Sequence, residues 1–284
     1  MESPNLERAV SAASELASGL GLPVGEAKLI CNSNKLALRL LPCDVLARVA
    51  FVGQEVFNLE VEIAQQLAER ESPTATLLDP RIHEQGGFAV TFWRYYEQAG
   101  VEPSAEVYAE ALERLHADMA QVDVGAPHFG DRVAEAQALV ASRVRTPRLE
   151  DADRALLSDT LRSSSRGIAT RSAPEQLLHG EPHPGNVLCT SEGLLFIDLE
   201  TCCRGPVEFD LAHVPEPVSD AYAGADHELL RECRRLVLAM VAAWRWDAGD
   251  QFPDGERAGN ALLSALRAGS PWPTLDTAMN RAGC

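Results

Sequence analysis

Between Leu177 and Asp210 the chain reads LLHGEPHPGNVLCTSEGLLFIDLETCCRGPVEFD, and the first third of this stretch cannot be helical. Pro182 and Pro184 lack the N–H that a helix needs, and Gly180 and Gly185 weaken any helix around them. His179, Glu181 and Asn186 are therefore carried on an irregular loop, whose bends allow Glu181 and Asn186 to turn toward one centre. Two short apolar runs follow. The second, over 194–197, ends on Asp198, which reads as a hairpin aiming an acid from the end of a strand.

The spacing is His179-x-Glu181-x-x-x-x-Asn186, with Asp198 twelve residues beyond Asn186. The kinase catalytic loop H-R-D-x-x-x-x-N, followed by a metal-binding Asp after a short hairpin, has the same layout. In-line phosphoryl transfer needs a group to orient and deprotonate the acceptor hydroxyl, and metal ions that bridge the phosphates. Glu181 is the candidate base, and Asn186 and Asp198 supply oxygen ligands of the kind Mg²⁺ takes. The plain alternative is a Pro-rich turn whose His and Asn satisfy only backbone groups. His179 and His183, four apart around a Glu, suggest a zinc protease, but that site needs both on a helix, which the prolines forbid. His179-x-Glu181 also opens the zinc-deaminase signature, whose P-C-x-x-C partner is missing from the sequence. No Cys sits in a nucleophile motif, although Cys–His chemistry stays open on the sequence alone.

At 284 residues and 46% hydrophobic, the chain has material for a large core and two domains. A net charge of −17 argues against a nucleic-acid partner. It favours cationic small molecules as partners, although an acidic surface more often serves solubility alone. Seven cysteines, an odd number with no C-x-x-C, read as free thiols of a reducing cytosol. No basic-then-apolar leader opens the chain. The longest strongly apolar run, 236–244, is about half of the ~20 residues that a membrane span needs. A soluble cytoplasmic protein with no membrane partner is expected. Lys28 and Lys35 are its only lysines, so a phosphate-binding cation elsewhere must be Arg.

Along the chain, Ser3 and Pro4 read as the start of a helix with Leu6, Val10, Ala13, Leu16 and Leu20 on one face. Short runs over 28–31, 36–41 and 45–52 predict a three-stranded antiparallel meander. A helix over 58–70 follows, with Leu59, Ile63 and Leu67 inward, and then a strand over 88–96. Helices are expected over 105–119 (Val107, Leu112, Leu115), 131–144, 149–161, 227–246 and 260–267. In 227–246 the inward residues are Leu230, Cys233, Val237, Met240 and Trp244.

HGEPHPGNVL, FIDLE and RGPVEFDLA together resemble the aminoglycoside phosphotransferase/choline kinase family, a branch of the protein-kinase fold, and its antibiotic phosphotransferases in particular. The usual pattern there is HGDxHPGN, then an apolar-D-[FW]-[ED] strand end, then RGP-x-x-[YFW]-D-[LI]-A. The tight match runs from His179 to Ala212, and the order of elements upstream agrees with it. The resemblance implies an α+β, protein-kinase-like two-lobed fold. A small antiparallel-sheet nucleotide-binding N-lobe would span 1–96, and a larger, mostly helical catalytic and substrate-binding C-lobe 97–284.

By that resemblance Glu181 stands for the catalytic Asp, His179 holds the loop by hydrogen bonds, and Asn186 and Asp198 bind Mg²⁺. Asp210 braces the loop or caps the next helix, Arg204 is structural, and His116 is a packing or capping residue. Arg48 takes the cation position on the third strand and Glu60 the paired helix acid, with Glu62 pointing elsewhere. Phe92, Trp93 and Tyr95 fall in the hinge, whose backbone would meet the nucleobase.

Three positions depart from the pattern. Glu181 is one methylene longer than Asp. Arg48 replaces Lys and is not its equivalent. Asn32-Ser33-Asn34 stands where a glycine-rich nucleotide loop is usual. The expected function is Mg²⁺-dependent transfer of phosphate from ATP or GTP to a hydroxyl of an aminoglycoside or another hydroxylated antibiotic. The alternatives are a metabolic kinase of choline, homoserine or a sugar amine, and a catalytically dead kinase-like binding protein. Glu216, Asp220, Asp226, Asp247 and Asp250 are the acids available to a cationic acceptor.

Overall fold

The computed structural model describes residues 1, 3–32, 35–53 and 56–280, so most of the Asn32-Ser33-Asn34 turn lies outside the described residues. The chain forms two compact units, one of 1–102, 121–125 and 188–200, the other of 103–120, 126–187 and 201–284.

The first unit is a five-stranded antiparallel sheet with a helix on each face. Strands β1 (Val24–Asn32), β2 (Leu36–Pro42), β3 (Val45–Phe51), β4 (His83–Gln85) and β5 (Phe88–Arg94) lie in the order β1-β2-β3-β5-β4. Alternation decides what each face receives. Leu36, Leu38, Leu40, Val45, Ala47, Val49, Phe88, Val90 and Phe92 face α1 (Ser3–Gly19). That helix meets them with a stripe of small residues, Ala9, Ala13 and Ala17, while Leu6, Val10, Leu16 and Leu20 are only partly buried. Arg48 lies on the opposite face, where α2 (Val56–Ala68) packs Phe57 against Ala50 and Ala89. Phe57, Glu60, Val61, Ile63, Ala64 and Leu67 are the buried residues of α2; the expected Leu59 is half-buried. Segment 188–200 joins this unit through backbone pairing of Phe196 with Pro73 and Ala75.

The second unit is mostly helical. It holds α3 (Ala105–Met119), α4 (Phe129–Ala141), α5 (Asp151–Ala169), α6 (Val207–Leu211), α7 (Glu216–Ala221), α8 (His227–Arg245), α9 (Gly255–Ala268) and α10 (Leu275–Asn280). Strand β6 (Gln176–Leu178) pairs antiparallel with β9 (Cys203–Gly205), and between them in sequence runs the hairpin β7 (Val187–Thr190) and β8 (Gly193–Phe196). Helix α8 is the centre of this core, packing on α4, α5, α6 and α9. No helix among the described residues is long and apolar enough to cross a membrane.

Some expectations need correction. Val107 is exposed, and Tyr108 takes its place on the buried face of α3 with Leu112, Leu115 and Met119. Helix α4 stops at Ala141, and Val144 projects into solvent. Helix α5 starts at Asp151 and runs to Ala169, because Leu157, Leu161, Ser164 and Ile168 continue the buried spacing through a Ser- and Arg-rich stretch. Asp226, one of the candidate substrate acids, caps α8 by accepting the N–H groups of Glu228 and Leu229. Asp226→Ala should remove this cap and destabilise the fold. Urea unfolding followed by circular dichroism should show a lower midpoint with an unchanged slope.

Candidate active site

In the second unit the loop is fixed by a carboxylate rather than by regular structure. Asp210, fully buried on α6, accepts the N–H of His179 (2.9 Å) and of Gly180 (2.8 Å), and lies 3.1 Å from His116 Nε2. Tyr222 Oη lies 2.9 Å from His116 Nδ1. With Asp210 an acceptor, His116 carries its proton on Nε2 and accepts at Nδ1. Burial works against the charge on Asp210. The His116 hydrogen bond, with His179 and His213 nearby, outweighs it and holds the carboxyl below its ordinary range. Gly180 has φ of +89°, and a Cβ there would lie 2.0 Å from the Thr201 carbonyl oxygen, so no other residue fits this bend.

From that anchor the loop builds forward. The Glu181 N–H points at His179 Nδ1 (3.4 Å), and Tyr108 Oη donates to the Pro182 carbonyl (2.5 Å). His183 caps the 3₁₀ turn Pro184–Asn186 by accepting the Gly185 N–H, a structural role rather than a zinc ligand's. Asn186 gives its amide to the Glu181 carbonyl (2.9 Å), which leaves Oδ1 as its acceptor.

The Glu181 side chain is held by a residue that the motif does not contain. Arg132 of α4 donates to its carboxylate and to the Gly180 carbonyl, and its guanidinium lies 5.1 Å from the Trp244 ring centroid. Burial raises the Glu181 pKa, but Arg132, then His213 and His183, lower it further, so the carboxyl sits below the usual range. Arg132 is 49 residues away in sequence and carries no spacing signal.

The first unit brings together Arg48, Glu60 and Asp198. Arg48 donates to Glu60 Oε1 and, at 2.6 Å, to Asp198 Oδ1. Burial opposes the Arg48 charge, but Glu60 and Asp198 hold its pKa above the ordinary value. Asp198 has φ of +68°, an uncommon conformation for a residue with a side chain, and strain of this kind gathers at functional positions. Its side chain is 29% exposed, whereas Glu60 is fully buried and Glu62 is exposed. Phe92 and Trp93 bury their side chains; the Phe92 carbonyl accepts the Leu78 N–H, and Tyr95 stacks under Arg39 at 3.8 Å.

Among the described residues no three His, Cys, Asp or Glu side chains form a metal cage. The oxygens of Asn186 and Asp198 are nonetheless of the right kind for Mg²⁺, which is usually held by one or two protein oxygens with phosphates and water. Cys–His chemistry loses ground, since burial pushes the Cys203 thiol up to about 12 and that of Cys233 well above its normal value.

Residues 44–249 match the model of the phosphotransferase enzyme family, APH. The chain belongs to that family. No curated protein matches it. Among solved structures it resembles an amicoumacin kinase in complex with AMP-PNP, Ca²⁺ and amicoumacin, with a TM-score of 0.70 at 9% identity over 94% of this chain and 97% of that one. A choline/ethanolamine kinase family protein from Mesorhizobium loti gives 0.71 at 15% identity over 98% of both chains. A spectinomycin phosphotransferase in complex with ADP and spectinomycin gives 0.65 at 13% identity, again over 98% of both. At such identities the likeness is one of fold, and the fold is kinase-like.

His213, buried in the second unit, lies within electrostatic reach of Glu181 and Arg132 and has Nδ1 2.9 Å from the Phe209 carbonyl oxygen. Burial pulls its imidazole down from 6.5 to about 4. A depressed folded-state pKa contributes stability that is complete above the unfolded value and is lost as pH falls toward the folded one. Between pH 6.5 and 4 the unfolding free energy should therefore fall by up to about 3 kcal/mol more than in His213→Gln. Urea titrations at half-unit pH steps would measure the difference.

Proposed function

We propose that this phosphotransferase moves the terminal phosphoryl group of ATP or GTP to a hydroxyl of a small molecule, most plainly an aminoglycoside or another hydroxylated antibiotic. The observation that carries the proposal is the pair of supported carboxylates within the family's motif. Glu181 stands on a loop braced by Asp210, and Asp198 sits in a strained backbone beside the Arg48–Glu60 pair. In this reading residues 1–96 bind nucleotide, and 97–284 carry the catalytic loop and the acceptor site. Arg48 and Glu60 serve the phosphates, Asn186 and Asp198 hold Mg²⁺, and Glu181 orients the acceptor hydroxyl and takes its proton. His179 supports the loop. Bound Mg²⁺ would neutralise charge building up on the transferred phosphoryl group. The nucleobase would meet the hinge backbone at Phe92, Trp93 and Tyr95, with the taken Phe92 carbonyl shifting its contacts toward Tyr95.

The acceptor classes of the similar structures set the panel to be tried: antibiotics in two, choline or ethanolamine in the third. Homoserine and sugar amines complete it. The acids once available to a cationic acceptor are largely committed, since Glu216, Asp226, Asp247 and Asp250 each pair with an arginine. That arrangement favours an acceptor recognised through neutral polar groups as much as through positive charge.

A second reading, a kinase-like binding protein without turnover, draws support from one observation. Both candidate reactive carboxylates are engaged by guanidinium groups, Glu181 by Arg132 and Asp198 by Arg48. Incubation with ATP or GTP, Mg²⁺ and the panel decides between the two. The native protein should phosphorylate at least one member, and Glu181→Ala should lower kcat about 10²- to 10⁴-fold. Asp198→Ala should abolish turnover. If neither nucleotide binds and nothing is phosphorylated, the proposal fails.

Arg132 gives a further expectation. It lowers the pKa of the carboxyl, so Arg132→Gln should raise it. The acid limb of kcat/KM for the phosphorylated acceptor should then move to higher pH than in the native enzyme.

A further inference from the structure

Of the chain's two lysines, Lys28 is exposed and Lys35 is buried. Lys35 Nζ lies 2.8 Å from Glu60 Oε2, 2.5 Å from Glu200 Oε2 and 4.7 Å from the Phe57 ring centroid. Arg48 holds the other oxygen of Glu60 and reaches Asp198. The β2–β3 register sets Ala37 opposite Arg48, and Lys35 precedes Ala37 by two residues, so both cations share the sheet face turned to α2. One buried helix acid thus anchors two cations, and the two further carboxylates that meet them both come from segment 188–200.

Two cations face three carboxylates in this cluster. A divalent ion on Asp198 would reverse the sign and leave one unit of positive charge, ready for an anion. Glu200 is the carboxylate held least well. Its Oε2 is buried beside Lys35 at ion-pair distance without the alignment of a hydrogen bond. The planar fork of Arg48 suits two carboxylates, whereas the compact ammonium of Lys35 suits a single phosphate oxygen.

We propose that Lys35 binds the phosphates of the nucleoside triphosphate donor, with Glu200 the anion that they displace from Nζ. The inference rests on the nucleotide-dependent function proposed above. It adds a phosphate-binding cation that reaches the cluster from the start of β2.

Two measurements test it. In the first, the native full-length protein is treated with an acyl phosphate of ATP, which transfers its acyl group to a lysine amine lying against bound phosphates. Peptide mapping should find the label on Lys35 and not on Lys28, with protection by excess ATP and Mg²⁺. In the second, MgATP, MgGTP and adenosine are titrated into the native protein, Lys35→Met and Lys35→Arg, each checked for folding by circular dichroism. Lys35→Met should weaken triphosphate binding about tenfold or more, as expected for a lost charge-assisted contact. Adenosine affinity should stay unchanged, and Lys35→Arg, which keeps the charge but not the compact ammonium, should recover only part of the loss. A native protein that binds neither nucleotide overturns the proposed function and this inference together. A native protein that binds nucleotide but is not labelled at Lys35, or a folded Lys35→Met that binds MgATP as tightly as native, overturns the inference alone. Should Lys35→Met fail to fold, the labelling of the native chain decides.

Discussion

The carboxylate of Asp210 is the fixed point of the second unit. An ionised carboxylate removed from water is costly unless hydrogen bonds replace its hydration. Here three donors converge on it: the consecutive N–H groups of His179 and Gly180, and the His116 ring. Two bonds to successive amides set a backbone direction as well as a position. They act at Gly180, where the backbone enters the left-handed region and the Thr201 carbonyl excludes any side chain. Glu181 and Asn186 take their places from there, one through His179 Nδ1, the other through the Glu181 carbonyl. The loop is thus ordered without belonging to a helix or a sheet, as a chain with prolines at 182 and 184 requires.

The first unit uses the same physics with cations as partners. Helix α2 buries Glu60 in the middle of its apolar face, between Phe57 and Ala64. An unpaired acid there would be strongly destabilising, so Lys35 and Arg48 tie the rotation of α2 to the strands that carry them. Hydrophobic packing alone is tolerant of small rotations of a helix on a sheet, whereas a fully buried carboxylate with two partners is not. In both units a buried acid sets a geometry that apolar contact would leave loose.

Much of this was legible in the sequence. The three-strand meander, the helix of 105–119 and the hairpin before Asp198 follow from period, turn residues and prolines. The Arg48–Glu60 contact could be anticipated only through resemblance, because strand and helix are joined by a turn whose geometry no pattern specifies. Lys35 and Arg132 show where such reading stops. Lys35 is one of only two lysines in the sequence, yet its burial between Glu60 and Glu200 depends on a segment more than 150 residues away. Arg132 lies within an ordinary amphipathic helix, and only the packing of α4 aims it at Glu181. Strand β4, three residues long, has no periodicity to detect.

Arg132 also bears on why a glutamate serves at position 181. One extra methylene extends the carboxylate by about 1.5 Å and adds a rotatable bond. Left alone, that freedom would spread the carboxylate over several positions and weaken any orienting role. Arg132 removes it by gripping the carboxylate and the Gly180 carbonyl together, with Trp244 against its own guanidinium. An aspartate would stop a bond short of that grip. The same contact makes the carboxylate a weaker base, which costs little in the proposed reaction. The transition state of phosphoryl transfer is loose, and catalysis there rests on positioning and electrostatics more than on proton abstraction. A longer acid clamped by an arginine therefore trades basicity for placement.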